Sequence, residues 1–236
     1  MYLNIKALSI LLLYSSLSVC HPTVHTSTNA EEIFTTIFHQ NFWADGDSKE
    51  SVSGAGSSLN ATEPIRKSLP EVIKEYSITS ILDAPCGDFH WLSTVDLGNC
   101  FYMGVDIVKP LIEKNTSLFS RNLRLFMHMN VITDPLPRVD LILCRDLFIH
   151  LDYASVFETL RNFKRSGSRY LLVTMHPYTQ ENKDISMGMW HGLNFEIAPF
   201  NFPKPLLLLD DKEGYACHDQ VTSKFLGLWR LEDLPL

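Results

Sequence analysis

A doubly wound, mostly parallel α/β sheet that ends in antiparallel strands is the fold class predicted by this chain of 236 residues. Three observations carry it. From Ser80 onward, short apolar runs alternate with helical segments at the rhythm of right-handed βαβ crossovers. Polar residues fall in register at the ends of successive runs: Asp83, Asp106, Asn130, Arg145 with Asp146, and His176. The last two runs, "PLLLLD" and "KFLGLWRL", have no convincing helix between them, so they are expected to pair antiparallel.

The elements follow in chain order. Residues 1–20 combine a weak basic start (Lys6) with an apolar stretch from Ala7 to Val19, and Ser18 and Cys20 are small enough to flank a cleavage site. The stretch is short against the roughly 20 residues of a bilayer span, so it reads as a signal peptide. A short uncleaved anchor and a buried helix are the other readings, and no later run is long enough to cross a membrane. Residues 21–61 form an N-terminal segment. It holds a helix from Ala30 to Phe42, with Ile33, Phe34, Ile37 and Phe38 on one side, and a flexible Gly/Ser stretch "DGDSKESVSGAGSSLN". The remaining residues, 62–236, are enough for one sizeable core.

In that domain Thr62 is expected to cap a helix with Pro64 in its first turn and Ile65, Leu69, Val72, Ile73 and Tyr76 at helical spacing. Pro70 lies inside it and predicts a kink or two short helices. "SILDA" is a strand, "FHWLSTVDL" a helix, "CFYMGVDI" a strand, and "KPLIEKNTSLF" a helix with Pro110 in its first turn. "LRLFMHMN" alternates Leu123, Leu125, Met127 and Met129, which predicts a strand with that face in the core. "VDLILCRD" is a buried strand, "YASVFETLRNFKRSG" a helix stopped by Gly167, and "YLLVTMHP" a fifth strand.

Composition narrows the function. An apolar content of 45% with 20% charged residues is that of an ordinary globular chain. The net charge of −7 becomes −8 without residues 1–20, and with no basic run the chain is a poor match for nucleic acid. Beyond the leader stand Cys86, Cys100, Cys144 and Cys217, which permit three pairings. Cys86 and Cys144 fall at neighbouring strand ends, as a disulfide or as two buried thiols, and Cys100 with Cys217 is the complementary pair. No CxxC spacing marks a structural zinc site. The sequons Asn60-Ala61-Thr62 and Asn115-Thr116-Ser117 fit a glycoprotein on a secretory route.

In such a sheet a ligand sits outside the carboxyl ends of the strands, where the strand order reverses. Asp83 ends the first strand, and Gly87 lets the chain turn closely beneath a ligand. Asp106, 23 positions after Asp83, can accept two hydrogen bonds from ribose hydroxyls, and the Asn130 amide can meet an adenine edge. The chain lacks the GxGxxG that seats a dinucleotide pyrophosphate, which weakens a dehydrogenase reading.

These residues bring a family into view. "ILDAPCGDF" resembles the first signature of the class I S-adenosylmethionine-dependent methyltransferases, "YMGVDIV" the second, and "MHMNVITDPLPRVDLILCRDLFIHL" the stretch of the third and fourth. The resemblance runs from Thr62 to His176 and more weakly beyond, and it implies a Rossmann-like seven-stranded sheet with an antiparallel final strand. It places Asp83, Ala84, Pro85, Cys86, Gly87, Asp106, Ile107, Asn130, Val131 and Arg145 on the cofactor, S-adenosyl-L-methionine. A branch combining "SGxGS", "LDAPCGDFxW", "GVDIV" and "CRDxxxHL" is similar further, with Trp91 in the second motif. By that likeness Trp43, Gly54 and Ser57 belong to a lid, where composition alone gives a mobile linker. Pro85 and Phe89 stand where many members have glycine, which implies a loop of altered shape, and Asn130 replaces the commoner Asp.

Methyl transfer needs positioned reactants and, for an O or N acceptor, a proton acceptor. His150 is the first candidate base and His176 the second, each also readable as a packing residue. Asp146 can orient substrate or bind a metal as in the catechol-type branch, but its expected partners after the fifth strand are missing, so no metal is expected. His90 and His128 read as structural. "WHGLNFEIAPFNFP" lines an acceptor pocket or packs in the core. The function implied is an S-adenosylmethionine-dependent methyltransferase of the secretory route, acting on a small molecule, glycan or protein. The competing reading is an inactive secreted binding protein of the same fold, against which Asp83, Gly87 and Asp106 are all present.

Overall fold

The computed structural model describes residues 28–43, 50–211 and 223–236; the leader, residues 44–49 and Cys217 lie outside them. Seven strands form a single sheet: β1 (Ser80–Asp83), β2 (Phe101–Asp106), β3 (Arg124–His128), β4 (Leu141–Cys144), β5 (Tyr170–Met175), β6 (Leu207–Asp210) and β7 (Phe225–Arg230). Their order is β3-β2-β1-β4-β5-β7-β6. The first five are parallel, and β7 runs antiparallel to both β5 and β6, as the helix-free tail requires. The order reverses between β1 and β4, which opens a crevice at their carboxyl ends.

Alternation along the strands divides the core between the two faces of the sheet. In β4, Ile142 and Cys144 point to one face and Leu141 and Leu143 to the other. The first face is covered by α4 (Tyr153–Arg165) through Val156, Leu160 and Phe163, and by the aromatics Phe195, Phe200 and Phe202. Phe34 of α1 (Thr28–His39) joins it. The second face is covered by α2 (Glu63–Glu75) through Ile65, Leu69 and Val72. The helix α3 (Lys109–Phe119) follows β2, and α4 begins where the Asp152 carboxylate accepts the Ser155 N–H at 2.8 Å.

Four expectations change. "FHWLSTVDL" forms only a short turn, Leu92–Thr94. Phe89 takes a left-handed φ of 57°, and Phe89, Trp91, Leu92, Val95 and Leu97 are all buried, more than one helical stripe can bury. Pro70 neither breaks nor divides α2, because the buried stripe continues on both sides of it. Thr62 makes no cap; its hydroxyl donates backward to the Ser58 carbonyl at 2.7 Å. In β3 the buried face is Arg124 and Phe126, while Leu123 and Met127 are exposed. Leu123 enters with φ 64°, so the pleat is turned by one residue and the apolar alternation lies outside. Phe126 packs edge-on to Phe89 at 5.1 Å, and Arg124 lies 4.7 Å above the Phe89 ring.

Cys86 and Cys144 are buried free thiols, and Cys100 donates from its sulfur to the Ile78 carbonyl. Asn115 is fully buried in α3, with its amide bonded to the Gly87 carbonyl at 2.8 Å, so this sequon is no surface site. No helix of the described residues is long and apolar enough to cross a membrane. The turned pleat of β3 is checked by two truncations in urea unfolding. Phe126→Ala is expected to cost about 3–5 kcal/mol, and Met127→Ala to stay within about 0.5 kcal/mol.

Candidate active site

A cavity of about 460 Å³ lies at the carboxyl ends of β1, β2 and β4. Of the residues the sequence assigned to the site, it is lined by Asp83, Pro85, Cys86, Gly87, Asp106, Ile107, Asn130, Val131 and Arg145. The strap contributes Trp43, Gly54 and Ser57, and the far wall Asp146, His150 and His176. Ala84 alone is not on it. Its N–H closes the ladder to the Leu143 carbonyl at 2.8 Å, which turns its side chain into the core.

Two buried carboxylates define the cavity floor. The Tyr102 hydroxyl donates to Asp83 Oδ2 at 2.6 Å, yet burial raises the Asp83 pKa to about 7. Asp106 accepts the Val108 N–H at 2.9 Å and the Gly87 N–H at 3.1 Å, and burial raises it to about 6. The second bond ties the end of β2 to the turn after β1. Asn130, two residues past β3, has its side-chain oxygen taken by the Ile132 N–H at 3.0 Å, leaving its NH₂ as the group available to a ligand. Burial drives the Cys86 thiol well above its usual range, so it is no nucleophile.

The described part of the Gly/Ser stretch is an ordered strap. Ser51 Oγ donates to Asp88 Oδ2 at 2.8 Å, the Val52 N–H reaches the same oxygen at 2.9 Å, and the Asp88 N–H donates to Ser53 Oγ at 3.0 Å. Glu50 accepts the Leu59 N–H at 2.8 Å and lies 3.1 Å from His90 Nε2. A Cβ on Gly87, whose φ is 51°, would stand 2.4 Å from Ser53 Oγ. Glycine is therefore required here by the strap itself.

Behind the strap sits a buried quartet of ions. Arg145 grips Asp211 with two bonds of 3.0 Å, contacts Asp146 at 3.0 Å and donates to the Gly56 carbonyl at 2.8 Å. Lys224 contacts Asp146 at 3.1 Å and Asp211 at 3.2 Å. Burial opposes the Asp146 charge, but Arg145 and Lys224 outweigh it and hold that carboxyl well below its usual range. Thr174 Oγ1 donates to Asp146 Oδ1 at 3.1 Å, so both carboxylate oxygens are engaged. Asp146 and Arg145, expected to meet substrate and cofactor, both line the cavity and also pair with each other. Among the described residues no group of three or more His, Cys, Asp or Glu could hold a metal ion.

The two histidines differ. His150 Nδ1 faces the Met189 carbonyl at 2.9 Å, which can only accept, so Nδ1 carries the proton and Nε2 keeps its lone pair. Burial lowers its pKa, and the ring stacks on Trp43 at 4.8 Å. His176 is buried with no partner for Nδ1, and burial lowers its pKa to about 4. Of "WHGLNFEIAPFNFP", only Trp190 reaches the cavity; Leu193, Phe195, Phe200 and Phe202 are core. Sequence reasoning missed the roles of Asp88, Asp211 and Lys224. Nothing in the spacing joins Asp88 to the serines of the strap, or Asp211 and Lys224 to residue 145.

No family model and no curated protein sequence matches this chain. Solved structures do match its fold. Human N-acetylserotonin methyltransferase in complex with SAM aligns at TM-score 0.56 with 14% identity, over 85% of this chain and 59% of that one. Burkholderia thailandensis 1,6-didemethyltoxoflavin-N1-methyltransferase, with S-adenosylhomocysteine and 1,6-didemethyltoxoflavin bound, aligns at 0.55 with 12% identity, over 85% of this chain and 86% of that one. The N-methyltransferase NodS of Bradyrhizobium japonicum aligns at 0.53 with 11% identity, over 72% and 96%. The chain thus has the fold of the class I methyltransferases.

The raised Asp83 pKa has a measurable consequence. A carboxyl that binds its proton more tightly when folded loses stability as pH rises from its unfolded value near 4 to about 7. Asp83→Asn keeps the acceptor for Tyr102 and removes that ionisation. Thermal and urea unfolding should show the variant gaining on the wild type across this window, by roughly 2–4 kcal/mol, and by no more above it.

Proposed function

We propose that this chain is an S-adenosylmethionine-dependent methyltransferase of the secretory route. The observation that carries the reading is the cavity floor: Asp83 and Asp106, at adjacent strand ends and joined through the Gly87 turn, under an ordered strap. Its volume lies in the range of small-molecule sites, roughly 300–1,000 Å³. Buried carboxylates with raised pKa favour a cationic ligand, and a sulfonium is one.

The donor set fits. Asp106 would hold the ribose hydroxyls, Asn130 with Ile107 and Val131 the adenine, and Asp83 with the Gly87 turn the amino-acid end. Trp43, Gly54 and Ser57 exclude water from above. The cofactor supplies an electrophilic methyl group. The chain supplies orientation and, at His150 Nε2, a neutral acceptor for the proton of an O or N nucleophile. Solved proteins of this fold that carry S-adenosylmethionine or S-adenosylhomocysteine support the reading.

Titration calorimetry is the test. The protein from His21 onward is expected to bind S-adenosylmethionine and S-adenosylhomocysteine at micromolar affinity, and Asp106→Ala to weaken both by about 1.5–3 kcal/mol. No binding by folded protein would leave a secreted scaffold of this fold. The leader supports the secretory part, and the exposed Asn60 sequon agrees with it. Amino-terminal sequencing of the protein released by secreting cells should begin at His21; retention of Met1 would contradict a cleaved signal.

A further inference from the structure

The cavity extends past the strand-end carboxylates to a second wall with a different chemistry. Trp43 and Trp190 stand there with His150 and His176. Trp43 stacks on His150, and Trp190 meets His176 edge-on at 5.7 Å. The rim is apolar and open: Phe42 is 71% exposed, Met189 63% and Trp190 41%. Phe42 and Trp190 also line the cavity, so the apolar surface continues from solvent inward. A single apolar side chain in water is ordinary, but a ring of them around the mouth of a cavity marks a binding surface.

The charges narrow the ligand. Arg145 and Lys224 are the only lysine or arginine side chains among the described residues lining the cavity, and both are neutralised by Asp146 and Asp211. Among the described residues no cation is left for a carboxylate or phosphate. The polar side-chain atoms on this wall are two indole N–H groups, of Trp43 and Trp190, and two imidazoles, both kept neutral by burial. Sugar recognition takes several carboxylate or amide groups to match vicinal hydroxyls, and this wall has none to spare. A base weaker than ordinary histidine also needs an acidic proton. A phenol, with a pKa of about 10, meets that need, and an alkyl alcohol does not.

From this geometry we infer that the methyl acceptor is a small, uncharged phenol, held between Trp43, Trp190 and the apolar rim, with its hydroxyl at His150 Nε2 and His176 orienting it. The inference rests on the methyltransferase reading above and deepens it. As the phenol oxygen bonds to the methyl carbon, the carbon–sulfur bond breaks and its electron pair stays on sulfur. The phenolic proton passes to His150 Nε2, whose charge is then shared through the Nδ1–H bond to Met189. His150 is thereby a catalytic residue, and His176 a specificity residue for the hydroxyl.

The test is calorimetry on the protein saturated with S-adenosylhomocysteine, using 2-naphthol, 2-naphthoate and methyl glucoside as probes. Naphthol is expected to bind at least about tenfold tighter than naphthoate, with no detectable glucoside binding. His150→Gln should leave S-adenosylhomocysteine affinity within about twofold, while naphthol methylation falls by about 100-fold or more. His176→Phe should lower naphthol affinity and leave that of S-adenosylhomocysteine unchanged. Binding of S-adenosylhomocysteine with naphthoate or glucoside preferred over naphthol overturns the phenol and leaves the methyltransferase standing. Naphthol binding without any S-adenosylhomocysteine binding overturns the enzyme and keeps the aromatic subsite. Full methylation by His150→Gln overturns the base.

Discussion

Arg145 is a guanidinium buried at the centre of the sheet's carboxyl edge, and an unpaired charge there is not tolerable. Its partners therefore have to come to it. Asp211 arrives from the end of β6, Lys224 from the residue before β7, Asp146 from its own loop, and the Gly56 carbonyl from the strap. One buried cation thus joins the parallel half of the sheet, its antiparallel tail and the N-terminal segment at a single point. Two cations against two anions leave the cluster neutral, which offsets the cost of burying Arg145 and Asp211. The Trp91 ring, 5.5 Å from the guanidinium, closes the remaining side.

The strap depends on the same logic. Ser, Gly and Ala have little apolar surface to bury, so a stretch such as Ser51–Ser57 gains its order chiefly from hydrogen bonds, with Val52 packed against the first core. Asp88 satisfies Ser51, Val52 and, through its N–H, Ser53. Arg145 holds Gly56. Beneath the strap Asp83 and Asp106 are buried on the cavity floor, and burial raises their pKa values. A cationic ligand would relieve that penalty.

The mouth of the cavity follows a third constraint. The segment Ser186–Phe202 runs over the edge of the first core, with Phe195, Phe200 and Phe202 inside. Anchoring these aromatics places the Met189 carbonyl against His150 Nδ1 and so sets the tautomer of that ring. Gly192 permits this, since a Cβ there would lie 3.2 Å from the His176 ring. Packing in the core thus decides which nitrogen faces the ligand.

The strand–helix alternation, the antiparallel tail and the placement of Asp83, Gly87 and Asp106 were legible in the sequence, because period, turn chemistry and strand ends are local properties. Helix α3 and the stop at Gly167 were legible for the same reason. What was not legible depended on neighbours distant in the chain. The alternation in β3 reads with Leu123, Leu125, Met127 and Met129 facing the core, and Phe89 and Tyr102 across the sheet draw Phe126 inward instead. "FHWLSTVDL" reads as a helix, but filling the second core on several sides leaves it a turn. Serines that composition alone reads as linker, and the resemblance as a lid, are held as a strap because Asp88 lies beneath them, and Arg145 becomes a latch because Asp211, 66 residues on, meets it. The sequence by itself determined the fold and the strand ends that face the cavity. Tertiary structure alone decided which of those side chains remain free for a ligand, since a buried charge is claimed by whichever partner the fold brings within reach.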